Sequence, residues 1–132
     1  MISDQLQRPR VLLADDDASV RIAVSRLLLP SCDVVGYVAD TATLFDTAAD
    51  LRPDVIVLDF SLAGGLNGIE VCRRLTRMRP AMSVVVFTAH NDEELSCRAF
   101  EAGASAYVWK LQAATDLLPA IRAAVAGLTT GS

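Results

Sequence analysis

Histidine and cysteine are scarce in this chain: there is one histidine, His90, and three cysteines, Cys32, Cys72 and Cys97, which lie far apart. A zinc site needs more closely spaced ligands, and a disulfide framework needs an even set of cysteines. The thiols therefore read as reduced residues, which fits a cytoplasmic protein. Runs of Lys or Arg are also missing. The 12 basic residues are scattered and the net charge is −4, so nothing marks a nucleic-acid or membrane surface. No apolar run approaches the roughly 18 residues of a membrane-spanning helix. Residues 1–10 are polar in character, and no signal peptide is expected.

What is present is apolar residues, 52% of 132. That length suits one domain, and a domain of this size buries about two-thirds of the surface its unfolded chain exposes. The apolar signal alternates between two kinds. Short solid runs occur at residues 11–14, 34–38, 55–58, 84–87 and 106–109. They are apolar at nearly every position, as strands buried on both faces would be.

Longer amphipathic stretches lie between them. Val20, Val24, Leu27 and Leu28 form one stripe, and Leu44, Phe45, Ala48 and Leu51 a second. Val71, Cys72, Leu75 and Met78 form a third, and Leu95, Ala99 and Ala102 a weaker fourth. Leu117, Leu118, Ile121, Ala124 and Val125 form the fifth. Each stripe fits one face of a helix. Pro30, Pro53, Pro80 and Gly103 stand where the first four should stop. The expected fold is α/β: a single doubly wound, five-stranded parallel sheet, (βα)5, with right-handed crossovers. The domain is expected over residues 10–126, with an N-terminal extension over 1–9 and a tail or the start of a linker over 127–132.

The stretch VLLADDD, from Val11, ends an apolar strand in three aspartates. Two carboxylates about 4 Å apart repel by roughly 4 kcal/mol at an effective dielectric near 20, and a cation between them would turn that penalty into a binding site. In an open α/β sheet, ligands bind at the carboxyl ends of the strands. Asp15 and Asp16 end the first strand, Asp59 the third, Thr88 the fourth and Lys110 the fifth, while Asp40, ending the second, should lie to the side. Hard oxygen ligands suit Mg²⁺. A hydroxyl and an amine can hold phosphoryl oxygens, and a carboxylate can attack phosphorus to form an aspartyl-phosphate.

The segments VLLADDD, VIVLDFSLAGGLNGIEV, VVVFTAH and GASAYVWK together resemble the receiver domain of bacterial two-component response regulators. The resemblance covers residues 9–126 and is strongest to receivers whose output is a helix-turn-helix domain. It implies a flavodoxin-like fold with strand order 2-1-3-4-5. It also implies that Asp59 accepts a phosphoryl group and that Asp15 and Asp16 are the acidic pair, with Asp16 the more direct Mg²⁺ ligand. Ser61 would bind the metal through its backbone carbonyl. Thr88 and Lys110 would be the hydroxyl and lysine of the site, and Tyr107 the aromatic whose rotamer reports activation. Implied partners are a sensor histidine kinase, a C-terminal DNA-binding output domain or a downstream protein, and a second copy on activation. Direct contact of this domain with nucleic acid or membrane is not implied.

Departures from the family pattern fall beside the site. The loop SLAGGLNG is one residue longer than the commonest form, with Gly64 and Gly65 adjacent; Ala63 replaces a usual proline, and Leu111 follows Lys110 where proline or a polar residue is common. Gly64, Gly65 and Gly68 do not form a P-loop and read as turn flexibility. Asp17 reads as a helix cap rather than a ligand. His90 is either exposed loop or a modulator of dephosphorylation. Trp109, on the same side of its strand as Tyr107, is expected on the output face, with Ala106 and Val108 on the opposite side.

The expected function is a phosphorylation-activated switch in transcriptional regulation. The alternative is a Mg²⁺-dependent phosphohydrolase working through an aspartyl-phosphate, although Ser61 stands where its second acid would commonly be. A degenerate receiver and a flavodoxin are weaker rivals, since neither explains the full acid set with Lys110.

Overall fold

The apolar runs fold as strands and the amphipathic stretches as helices, in strict alternation. The computed structural model describes residues 8–62 and 67–127. In chain order these form β1 (Arg10–Ala14), α1 (Ala18–Leu28), β2 (Asp33–Val38), α2 (Thr41–Leu51), β3 (Val55–Asp59) and α3 (Gly68–Met78). There follow β4 (Ser83–Thr88), α4 (Glu93–Glu101), β5 (Ala106–Trp109), a 3₁₀ turn at Lys110–Gln112 and α5 (Ala113–Val125). The strands make one five-stranded sheet in the order β2-β1-β3-β4-β5, with every neighbouring pair parallel.

Alternation of side chains along the strands splits the core into two layers. Leu12, Ile56, Val84 and Val86 face α2, α3 and α4, packing with Leu44, Ala48, Cys72, Leu75 and Ala99. Val11, Leu13, Val57, Val85 and Phe87 face α1 and α5, packing with Val24, Leu28, Leu117 and Ile121. Filling each layer from helices on its own side buries β1, β3 and β4 almost throughout. The expectation of burial on both faces fails at the edges, because an edge strand has a neighbour on one side only. Along β5 buried and half-buried residues alternate, and of the six residues of β2 three are half-buried and two exposed. Tyr37 is 53% exposed.

Helix ends follow local chemistry. Asp17 caps α1 by accepting from the Ser19 and Val20 backbone N–H groups, as its sequence position suggested. Asp40, Asn67 and Asp92 cap α2, α3 and α4 in the same way. Gly103, just past α4, has φ +107°, and an added Cβ would lie 2.8 Å from the Thr76 side chain. That position demands glycine twice over. Two stripe residues differ from expectation: Met78 and Val125 are exposed. Each is the last residue of its helix, and the packed faces end at Leu75 and Ala124. α5 also runs through Pro119; packing of Leu117, Ala120 and Ile121 outweighs the lost backbone hydrogen bond.

Candidate functional site

Parallel strands end on one edge of the sheet, so this topology gathers whatever residues finish β1, β3, β4 and β5. Asp15, Asp59 and Thr88 are buried there, at 4%, 3% and 2% exposure, while Asp16 is exposed. One carboxylate oxygen from each of Asp15, Asp16 and Asp59 lies within 4.8 Å of the others.

Asp15 is fixed from several directions. Its backbone N–H donates to the Val38 carbonyl at 3.0 Å. Its Oδ1 accepts from the Asp17 N–H at 2.9 Å, and its carbonyl accepts from Arg21 Nη1 at 3.0 Å. Lys110 Nζ reaches Asp15 Oδ2 at 2.9 Å and Asp59 Oδ2 at 3.5 Å. Burial works against the lysine's charge. Its hydrogen bond to Asp15 and the charge of Asp59 outweigh that, and its pKa lies above the ordinary value. The ammonium also stands 5.5 Å from the centroid of the Phe87 ring, a distance at which the ring face favours a cation.

Ser61 holds Asp59 more tightly than its sequence position suggested. Its N–H donates to Asp59 Oδ1 at 3.0 Å, and its hydroxyl lies 2.9 Å from Oδ1 and 3.0 Å from Oδ2. The donor set fits a hard divalent cation: three carboxylates converge, two of them desolvated, with no histidine or thiolate among them.

Thr88 and Tyr107 meet at His90. The His90 N–H donates to Thr88 Oγ1 at 3.2 Å, and the Tyr107 hydroxyl donates to the His90 carbonyl at 2.7 Å. Partial burial raises the Tyr107 pKa above the usual phenol value. Tyr107 and Trp109 share one side of β5, both half-buried, while Ala106 and Val108 pack on the other. The indole N–H of Trp109 donates to the Ala89 carbonyl at 3.2 Å.

Asp15, Asp16, Asp59 and Lys110 thus come together, Thr88 is buried at the end of β4 and lines a cleft with Ser61 and His90, and Asp40 lies apart as the cap of α2. Sequence reasoning missed Arg21, the Ser61 hydroxyl and Phe87; each acts across a turn or from a neighbouring strand, and no spacing signals that. The reading of Gly68 needs correction. A Cβ there would lie 2.4 Å from the Phe60 ring, so close approach, not turn flexibility, explains this glycine. Ala63, Gly64 and Gly65 lie outside the described residues. The Lys110–Leu111 peptide is trans, and Leu111 is 76% exposed.

The family model of the response regulator receiver domain matches residues 11–122. The chain is 38% identical over 120 residues to the DNA-binding transcriptional activator DevR/DosR of Mycobacterium tuberculosis, covering 89% of this chain and 55% of that protein. It is 34% identical over 119 residues to the nitrate/nitrite response regulator protein NarL of Escherichia coli, with the same coverage. A two-component response regulator of the LuxR family from Aurantimonas superposes with a TM-score of 0.88 at 34% identity, over 96% of this chain and 91% of that one. The isolated receiver domain of RcsB from Salmonella enterica, solved with the phosphomimetic BeF3⁻, superposes with a TM-score of 0.86 at 26% identity, over 94% and 93%. The chain belongs to the response-regulator receiver family. It spans about half the length of the curated relatives it matches.

Proposed function

We propose that this domain is a phosphorylation-activated switch whose phosphoryl acceptor is Asp59. The observation that carries the reading is the placement of Asp59: a buried carboxylate with Lys110 at 3.5 Å and the carboxylates of Asp15 and Asp16 beside it. An Asp59 oxygen attacks the phosphorus of a kinase phosphohistidine. The P–N bond breaks, its electron pair returns to the imidazole, and an acyl phosphate remains on Asp59. Mg²⁺, held by Asp15, Asp16, Asp59 and the Ser61 carbonyl, would supply charge neutralisation between anionic nucleophile and anionic donor.

Lys110 and Thr88 then hold the new phosphoryl oxygens, by charge and by a hydroxyl donor. Because the His90 N–H already uses a lone pair of Thr88 Oγ1, movement of Thr88 pulls on the residue that Tyr107 also holds. The rotamer of Tyr107 changes with it, and the face of α4, β5 and α5 alters its affinity for a partner. This is a population shift set by how much better one arrangement stabilises the phosphoryl group.

The partners we assign are a sensor histidine kinase and a helix-turn-helix DNA-binding output, in the same polypeptide or downstream, with homodimerisation on activation. The free thiols support a reducing, cytoplasmic setting. Only self-directed phosphotransfer and autodephosphorylation are assigned, because the second acid of a phosphohydrolase is replaced by Ser61, whose hydroxyl is spent on Asp59. Acetyl phosphate with Mg²⁺ should add one phosphoryl group by intact mass, and EDTA should prevent it. Asp59→Asn should abolish the addition; labelling that persists in that variant overturns the assignment.

A further inference from the structure

Two consecutive carbonyls just beyond Thr88 are each held by a side chain from β5. Trp109 Nε1 holds that of Ala89 at 3.2 Å, and the Tyr107 hydroxyl holds that of His90 at 2.7 Å. The spacing is a consequence of register. Thr88 pairs with Trp109 across the sheet and Val86 with Tyr107, so residues two apart on β5 face the segment leaving β4 from the same side. Between these anchors the His90 N–H closes back on Thr88 Oγ1 at 3.2 Å.

A hydroxyl has one proton to give and two lone pairs to offer. With one lone pair occupied by the His90 N–H and the side chain also interacting with the Tyr107 phenol, the Thr88 hydroxyl reaches an acceptor at the strand edge only by turning its proton away from Tyr107. If the 89–90 segment loosened, that N–H would leave, and the hydroxyl would rotate among several partners. An indole N–H is a donor only, and Trp109 spends it on the residue directly after Thr88.

We propose that Trp109 is a positioning residue for phosphoryl binding: by gripping the Ala89 carbonyl it fixes the segment that orients the Thr88 hydroxyl toward an acidic oxyanion on Asp59. This rests on the reading of Asp59 as acceptor. It goes further in giving the single tryptophan a part in the site, distinct from any part in partner docking.

The experiment compares wild type with Trp109→Phe, which keeps an aromatic ring and removes the donor. Calorimetric titration with beryllofluoride at saturating Mg²⁺ should show about fivefold weaker binding in the variant, the net worth of one solvent-edge hydrogen bond. Affinity for Mg²⁺ alone should be unchanged, while the thermal midpoint falls by no more than the few degrees that one lost hydrogen bond costs. In the wild type, the single indole N–H resonance should be slow to exchange and should shift when beryllofluoride binds. Equal beryllofluoride affinity in the two proteins overturns the proposal, as does a loss shared equally by Mg²⁺ binding, or an indole resonance indifferent to beryllofluoride. Failure of the wild type itself to bind beryllofluoride, or binding retained in Asp59→Asn, overturns the acceptor reading and this inference with it.

Discussion

Lys110 Nζ stands 2.9 Å from Asp15 Oδ2 and is the cation that lets two acids share a desolvated strand edge. It also lies 3.5 Å from Asp59 Oδ2. Removing it leaves the buried acids to repel each other without compensation. Lys110→Ala should therefore lower the thermal midpoint in EDTA. It should also bind Mg²⁺ several-fold more tightly, because a competing positive charge has gone. The stabilisation that added Mg²⁺ gives should be larger in the variant than in the wild type. Melting both proteins with and without Mg²⁺ checks the two signs together, and an unchanged response to Mg²⁺ refutes the electrostatic account.

Asp16 and Asp17 are neighbours with separate tasks. Asp16 contributes an oxygen to the acidic cluster, while Asp17 Oδ1 is spent on the Ser19 and Val20 N–H groups. Asp16→Ala should weaken Mg²⁺ binding by tenfold or more, on the order of the coupling expected from losing a direct charged ligand. Asp17→Ala should leave Mg²⁺ affinity close to that of the wild type and cost about 1 kcal/mol of stability through the lost cap. Calorimetry and urea unfolding on the two variants separate the roles; equal losses of Mg²⁺ affinity would contradict the assignment.

The Ser61 hydroxyl sits between both oxygens of Asp59, at 2.9 and 3.0 Å. A hydrogen bond to the attacking oxygen withdraws electron density from it and weakens it as a nucleophile. Hydrogen bonds to a charged group contribute about 1.5–3 kcal/mol, although water replaces part of that once the side chain is gone. Ser61→Ala should speed phosphoryl uptake from acetyl phosphate by a few-fold. Ser61→Thr, which keeps the hydroxyl, should stay near the wild-type rate. Intact-mass time courses measure this, and a slower Ala variant would show that the hydroxyl aids attack instead of restraining it.

The contrast between Asp15 and Ser61 shows how far the sequence could be read. The strand ends were legible because apolar runs mark the strands and a parallel sheet delivers their carboxyl ends to one edge. Asp15, Asp59, Thr88 and Lys110 follow from that rule alone. The Ser61 hydroxyl does not, since its role depends on the turn that brings residue 61 back over Asp59. Arg21 gripping the Asp15 carbonyl depends on a helix rotation that no spacing reports. The edge character of β2 and β5 was hidden for a related reason: an apolar run looks the same whether one or two neighbours will pair with it. Where the Trp109 indole N–H goes is likewise set by the path of residues 89–90 beyond β4, not by the strand pattern itself.

Gly68 opens α3 against the ring of Phe60, the residue that follows Asp59. A Cβ at position 68 would lie 2.4 Å from Phe60 Cγ and Cδ1 and 2.9 Å from its Cβ. Alanine is the better helix former by up to about 1 kcal/mol, less at the first helical position than in the interior. Overpacking a fitted contact costs about 1–3 kcal/mol, and here it would fall on a half-buried ring packed against the core. The clash therefore wins: Gly68→Ala should lower stability by about 1–2 kcal/mol. Phosphoryl uptake should slow as well, because any retreat of Phe60 moves the backbone beside Asp59. In a Phe60→Ala background the obstructing ring is absent, and the same substitution should be neutral or stabilising through helix propensity alone. Urea unfolding of the four proteins of this cycle isolates the pairwise term. An equal cost of Gly68→Ala in both backgrounds would mean that the glycine is needed for its backbone, not for the room it leaves to Phe60.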